Sequence, residues 1–142
     1  MTELVVEVDL GVRWEPNAPA SVLIVGDDGS AALAMRAHFD DDDVRCVVLR
    51  WSDVCWTSMG GPNDEALRVH RLYGKGLENV HWAGRVESSD LTRTIASMVH
   101  DGSGLTRYVV LLKECVVEVV ARAVSARRVG GDTLEAARRA LA

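Results

Sequence analysis

The chain has 142 residues, 48% of them hydrophobic and 26% charged, with a formal net charge of −5. That length fits one domain over 1–142 with a real core, and the composition is that of an ordinary soluble globular protein. The negative balance excludes nucleic acid as the main ligand, because phosphate binding needs a basic face. The longest apolar region, Tyr108 to Val124, is interrupted by Lys113, Glu114, Glu118 and Arg122, and so is no membrane span, which needs ~20 nearly uncharged residues.

From the N-terminus, Leu4 to Val12 alternates, with Leu4, Val6, Val8 and Leu10 on one face, and predicts a half-buried strand. Pro16, Asn17 and Pro19 end it in a loop. Residues 21–50 admit two readings. Val22 to Val25, a turn at Asp28-Gly29 and a second strand would make a hairpin, with Ala31, Leu33, Met35, Ala37 and Phe39 facing the core and Ala32, Ala34, Arg36 and His38 facing out. The alternative is an α/β arrangement with a βαβ unit, favoured by the helix propensity of the alanines. The glycines of this stretch do not have dinucleotide spacing, and Asp27 and Asp28 would repel a phosphate. Asp40 to Asp43 reads as a solvated turn, since it does not have the alternating ligands, central glycine and terminal glutamate of a calcium loop. Val44 to Trp56 predicts one long strand.

The segment that follows, Gly60-Gly61-Pro62-Asn63-Asp64-Glu65 with His70 and Tyr73-Gly74-Lys75-Gly76, concentrates turn formers, carboxylates, an imidazole and a phenol. Core packing does not require that mixture. Asn63 has the position of an N-cap for a short helix that Gly74 would end, with Asp64 and Glu65 at its positive end and Asp64 paired with Arg68. Val80, Trp82, Gly84 and Val86 alternate as a strand. Ser88, Ser89 and Asp90 then open a helix with the stripe Leu91, Ile95, Met98 and Val99. Thr106 to Arg128 carries glutamates four apart but many β-branched valines, which favour two antiparallel strands turning near Lys113-Glu114-Cys115. Asp132 and Glu135 have capping-box spacing for a last helix to Leu141.

The expected fold is therefore α+β, a single domain built mainly of antiparallel sheet, barrel-like or sandwich-like. Its short helices are expected at about 63–73, 89–100 and 132–141. Gly61-Pro62-Asn63-Asp64-Glu65, His70, Tyr73 and Gly76-Leu77, followed by the Ser88-led helix to His100 and by Tyr108-Val109 and Glu118, resemble a group of small uncharacterised bacterial proteins. The resemblance covers roughly residues 60–121 and implies a tight hairpin for the last two strands. It departs at Lys113-Glu114-Cys115, where a polar turn with histidine and serine is expected, and it implies no activity.

Two functions follow. In the first, a small binding or accessory protein recognises a protein partner or compact ligand through residues 60–76, with Asn63, Asp64, Glu65, Trp56 and Trp82 as binding residues; an acidic inhibitor that covers a basic partner is one form of it. In the second, a small cofactor-free enzyme of cyclase, lyase or isomerase type uses His70 as base and Tyr73 or Glu118 as acid, within walls of Trp56 and Trp82. Glu118, between two valines, is either on a solvated sheet face or buried and paired with Arg122 or Arg107. No metal or cofactor is expected, since the histidines have neither HxxxH nor HxH spacing. Cys46 and Cys55 read as small core residues, and Cys115 beside Glu114 as a poor nucleophile. Three widely spaced cysteines and no leader pattern point to a reducing cytoplasm. A homodimer is compatible with all of this.

Overall fold

A computed structural model describes residues 2–142; the side chain of Glu65 also lies outside what is described. Among the described residues the chain forms two antiparallel sheets and two α-helices. The five-stranded sheet has the order β1-β6-β7-β8-β5, from Leu4–Glu7, Ala83–Glu87, Thr106–Leu111, Val116–Ala121 and Trp56–Gly60. The four-stranded sheet has the order β2-β3-β4-β9, from Val22–Val25, Ala31–Met35, Cys46–Ser52 and Ala123–Val129. The α+β expectation holds, with open sheets rather than a barrel.

Residues 21–50 form the hairpin and not the βαβ unit: Val22 faces Ala34 and Val25 faces Ala31 across an Asp28-Gly29 turn. In that turn Gly29 takes φ +85°, a conformation that suits glycine. The sheets meet at a corner. β4 pairs with β9 and β5 with β8, and the ladder runs on through hydrogen bonds from Arg122 N–H to the Ser52 carbonyl and from Cys55 N–H to the Val120 carbonyl. The expected single strand over 44–56 is thus two, bent at Asp53, whose φ is +54°. A bent strand that passes between sheets is how such corners are made.

Between the sheets, Leu33, Met35, Val47, Leu49 and Trp51 meet Val110, Val117 and Val119, all fully or nearly fully buried. Each such side chain contributes about 1.5–3 kcal/mol. Trp14 completes this core from the β1–β2 connection, held by an isolated bridge to Ala37. Outside the four-stranded sheet, α2 (Thr133–Leu141) covers Ala32, Ala34 and Val48 with Ala136, Ala137 and Ala140. Both faces of β3 are therefore buried, where the sequence suggested that Ala32 and Ala34 face outward. Small residues let the helix approach closely. Phe39, expected in the core, is 78% exposed because β3 ends at Met35 and the chain turns away.

The other outer face, that of the five-stranded sheet, is covered by three 3-10 turns: Asp64–Val69, Tyr73–Lys75 and Leu77–Asn79. Leu72, Leu77 and Val80 pack there on Val5, Val86, Val109 and Val116. This replaces the expected helix over 63–73. The next strand starts at Ala83 rather than Val80. Helix α1 (Asp90–Met98) forms with its Ser89 cap as expected, but its stripe is only half-buried and Met98 is 78% exposed. Cys46 is buried, whereas Cys55, at the corner, is exposed.

Gly76, not Gly74, is the glycine this face depends on. Its φ is +110°, and a Cβ there would collide with the Val5 carbonyl, whereas a Cβ on Gly74 meets nothing. Gly76→Ala should cost at least about 2 kcal/mol in denaturant unfolding, with Gly74→Ala near wild type.

Candidate functional site

The 3-10 turns are fastened to the sheet by a buried charged cluster. Glu3 immediately precedes β1, two residues before Val5, and β-strand alternation puts Arg107 and Val109 on one face of β7. Glu118 stands opposite Val109 in register, so it reaches Arg107 along the diagonal. Arg107 Nε donates to Glu118 Oε1 at 2.9 Å and Nη2 donates to the same oxygen at 2.5 Å. The guanidinium also lies 3.7 Å from Glu3 Oε2 and donates to Ser89 Oγ at 3.5 Å. Glu3, Arg107 and Glu118 are all buried. The solvated alternative for Glu118 does not occur, and Arg107 rather than Arg122 is its partner. Arg122 is at the corner, where its Nε donates to the Ser103 carbonyl.

Glu3 is the hub of this cluster. Its carboxylate accepts from Arg71 at 2.5 Å, from Lys75 at 3.3 Å, and from the backbone N–H of Asp90 at the start of α1 at 3.0 Å. The hydrogen bond from Arg71, helped by those from Asp90 and Lys75 and opposed by burial, holds its pKa down from the ordinary 4.5 to about 2. Residues 3, 71, 75 and 107 come together only in the folded chain, and no local signal in the sequence marks Glu3.

His70 follows the first 3-10 turn as its C-cap. The Leu72 N–H donates to His70 Nδ1 at 3.0 Å, so the ring proton is on Nε2, which points to Glu118 Oε2 at 3.5 Å. Nδ1 is thus engaged in a hydrogen bond and Nε2 is in contact with the Glu118 carboxylate, so the imidazole braces the turn. Asn63 caps as expected, with its side-chain oxygen accepting from Ala66 N–H at 3.1 Å. Asp64 N–H donates to the Lys113 carbonyl at 2.9 Å, which ties the segment to the β7–β8 turn. The expected Asp64–Arg68 ion pair is not formed. Tyr73 opens the second 3-10 turn and is half-buried. Its backbone N–H donates to the His70 carbonyl at 3.0 Å, but among the described residues its hydroxyl has no hydrogen bond to His70 or Glu118.

Among the described residues four concavities stand out, and none of these is lined by His70, Tyr73, Glu118 or Trp56. Asp64 and Leu67 wall one of about 180 Å³ with Pro16, His81, Leu111 and Lys113. Trp82 and Trp14 wall another of about 270 Å³. Trp82 is fixed there by its indole N–H, which donates to the Trp14 carbonyl at 3.0 Å. A third, of about 110 Å³, lies between Met59, Cys115 and residues 18–21. The β1–β2 connection, residues 8–21, runs along all three. It reads in sequence only as a Pro/Asn loop, and the buried Trp14 is the residue that could have marked it.

The structure therefore divides the candidate residues. His70 and Glu118 come together inside the cluster; Asp64 and Trp82 line surface concavities; Trp56 lies apart from both. Burial pushes the thiols of Cys46 and Cys115 up, the latter aided by Glu114, so neither is an activated nucleophile. Among the described residues no three His, Cys, Asp or Glu side chains converge to hold a metal. Among the described residues no helix is long and apolar enough to cross a membrane. No protein family, curated protein or solved structure matches the chain.

Because the Glu3 pKa is depressed on folding, its contribution to stability is complete above about pH 4.5 and is lost as pH falls toward 2. Glu3→Gln should cost about 3 kcal/mol at pH 7. In denaturant unfolding measured from pH 7 to 2, the gap to wild type should close across that acid window and nowhere above it.

Proposed function

We propose that the chain is a small cytoplasmic binding protein that recognises a protein partner through the 60–76 segment, with Asp64 as the central polar contact. One observation carries this reading. The conspicuous groups of the segment are spent in two ways: Arg71, Lys75 and His70 face the buried cluster, and Asp64 is left exposed with no ion-pair partner among the described residues. Its carboxylate stands at a concavity of about 180 Å³ whose other walls include Leu67, Leu111 and Leu112. That is below the ~300 Å³ usual for small-molecule sites and fits one inserted side chain. Leucines beside a carboxylate suit an aliphatic cation, lysine or arginine, from a partner, which would share the site with Lys113 and His81. The net charge of −5 would steer a basic surface toward it.

Exposed apolar groups support a wider contact: Val69 in the same 3-10 turn is 71% exposed, and Met59, beside the adjoining concavity, is 43% exposed. The three cysteines are free, which agrees with a reducing compartment. Acid–base catalysis at His70 has no such support, since none of the described concavities is lined by it and its Nδ1 is taken by the Leu72 N–H.

The products of adjacent genes, co-expressed with the tagged chain, supply the test. Asp64→Arg should abolish retention of the partner, and Asp42→Arg, an equally exposed aspartate in the β3–β4 turn, should leave it unchanged. Equal retention by wild type and Asp64→Arg would remove this surface from consideration.

A further inference from the structure

The free edge of β2 points to a second interaction, independent of the 60–76 surface. Its residues, Val22-Leu23-Ile24-Val25, include no charge and no proline, whereas the opposite edge of the same sheet, β9, carries Arg127 and Arg128. Sheet edges are ordinarily blunted by charge, proline or a covering element, because their unpaired main-chain groups template another strand. The hairpin register fixes which groups are unpaired. The Gly26 N–H donates to the Ser30 carbonyl, and antiparallel ladders alternate. Val22 and Ile24 therefore bond to Ala34 and Ala32, while Leu23 and Val25 turn their N–H and C=O groups to the free edge. Val25 is also 48% exposed.

We propose that β2 pairs antiparallel with β2 of a second copy about a two-fold axis, with Leu23 of each strand opposite Val25 of the other. The arrangement is self-complementary. Each exposed Val25 gains the half-buried Leu23 of the other copy as cross-strand neighbour, and no like charges oppose one another. Antiparallel pairing carries the Asp27-Asp28 turn of each copy to the Ser21 end of the other. Arg36 stands at that end, and both Arg36 and Asp27 are exposed with no ion pair among the described residues. Arg36 and Val22 also line a groove of about 680 Å³ that continues past Phe39 and Val44, 78% and 85% exposed. The other charges in this groove are committed. Asp41 is paired with Arg13 and Arg128, and Asp132 caps α2. Among the described residues of the groove Arg36 is the cation without an ion pair, and the acidic turn of a second copy is its match. Both halves of the charge pair belong to this one chain, which favours self-association over a foreign strand.

Sedimentation equilibrium of the full chain over a range of concentrations tests the proposal. Wild type should approach twice its 15.4 kDa mass as concentration rises. Val25→Pro removes only an edge N–H, and Val25→Lys places a charge on the edge. Both should keep the wild-type circular dichroism and raise the dissociation constant at least about tenfold. Arg36→Asp and Asp27→Arg should each weaken the dimer, and the double variant should recover it. A wild type that stays monomeric overturns the proposal. So does a dimer that survives in both Val25 variants, which would place the interface elsewhere. If those two variants lose their fold, the charge exchange decides: no recovery in the double variant overturns the pairing.

Discussion

Three parts of the molecule meet at one carboxylate. Glu3 lies just before β1 and accepts hydrogen bonds from Arg71 and Lys75 of the 3-10 segment and from the first N–H of α1. The Arg107 guanidinium beside it extends the link to Glu118, and Glu118 to His70. A buried ion pair is weak evidence for net stability, because desolvation offsets much of the attraction. What such a pair does well is select one arrangement, since any other leaves buried charge without a partner. Here the arrangement selected is the seating of residues 64–76 on the five-stranded sheet.

That seating explains the division of labour in the polar segment. An imidazole, two cations and a capping amide spent on anchoring produce an irregular stretch that holds one shape without a regular helix. The outward remainder, Asp64 with the apolar groups around it, is then presented on a rigid base, as recognition by a preformed surface requires. The β1–β2 connection shares in this. Trp14 enters the core between the sheets, and its neighbours Pro16 and Asn17 form the far wall of the Asp64 concavity.

Much of the sheet was legible in the sequence, because alternation and turn chemistry are local. The Asp28-Gly29 hairpin, the turn between β7 and β8 and the caps Asn63, Ser89 and Asp132 all stand where their residues put them, whereas the second strand expected up to Arg128 is two, β8 and β9, in different sheets. Errors arose where a second layer changed the meaning of a face. Ala32 and Ala34 look outward in an isolated strand and are buried only because α2 arrives from a hundred residues away in sequence. Val44 to Trp56 has strand composition throughout, and nothing local marks Asp53 as a corner. At the site, His70 and Glu118 were legible as unusual residues but not as partners. Glu3 was not legible at all, since its meaning lies in Arg71 and Arg107, which reach it only through the fold.

The central claim is that the buried cluster, and not the sandwich core, sets the conformation of residues 64–76. Native-state hydrogen exchange of Glu118→Gln against wild type tests it most directly, because the change keeps the shape of the side chain and removes its charge. Exchange should be faster at Leu72, whose N–H donates to His70, and at Ala66 in the same segment. The β4–β9 ladder around Leu49 should keep its protection. Unchanged exchange at Leu72 and Ala66, or an equal loss throughout both sheets, would contradict it.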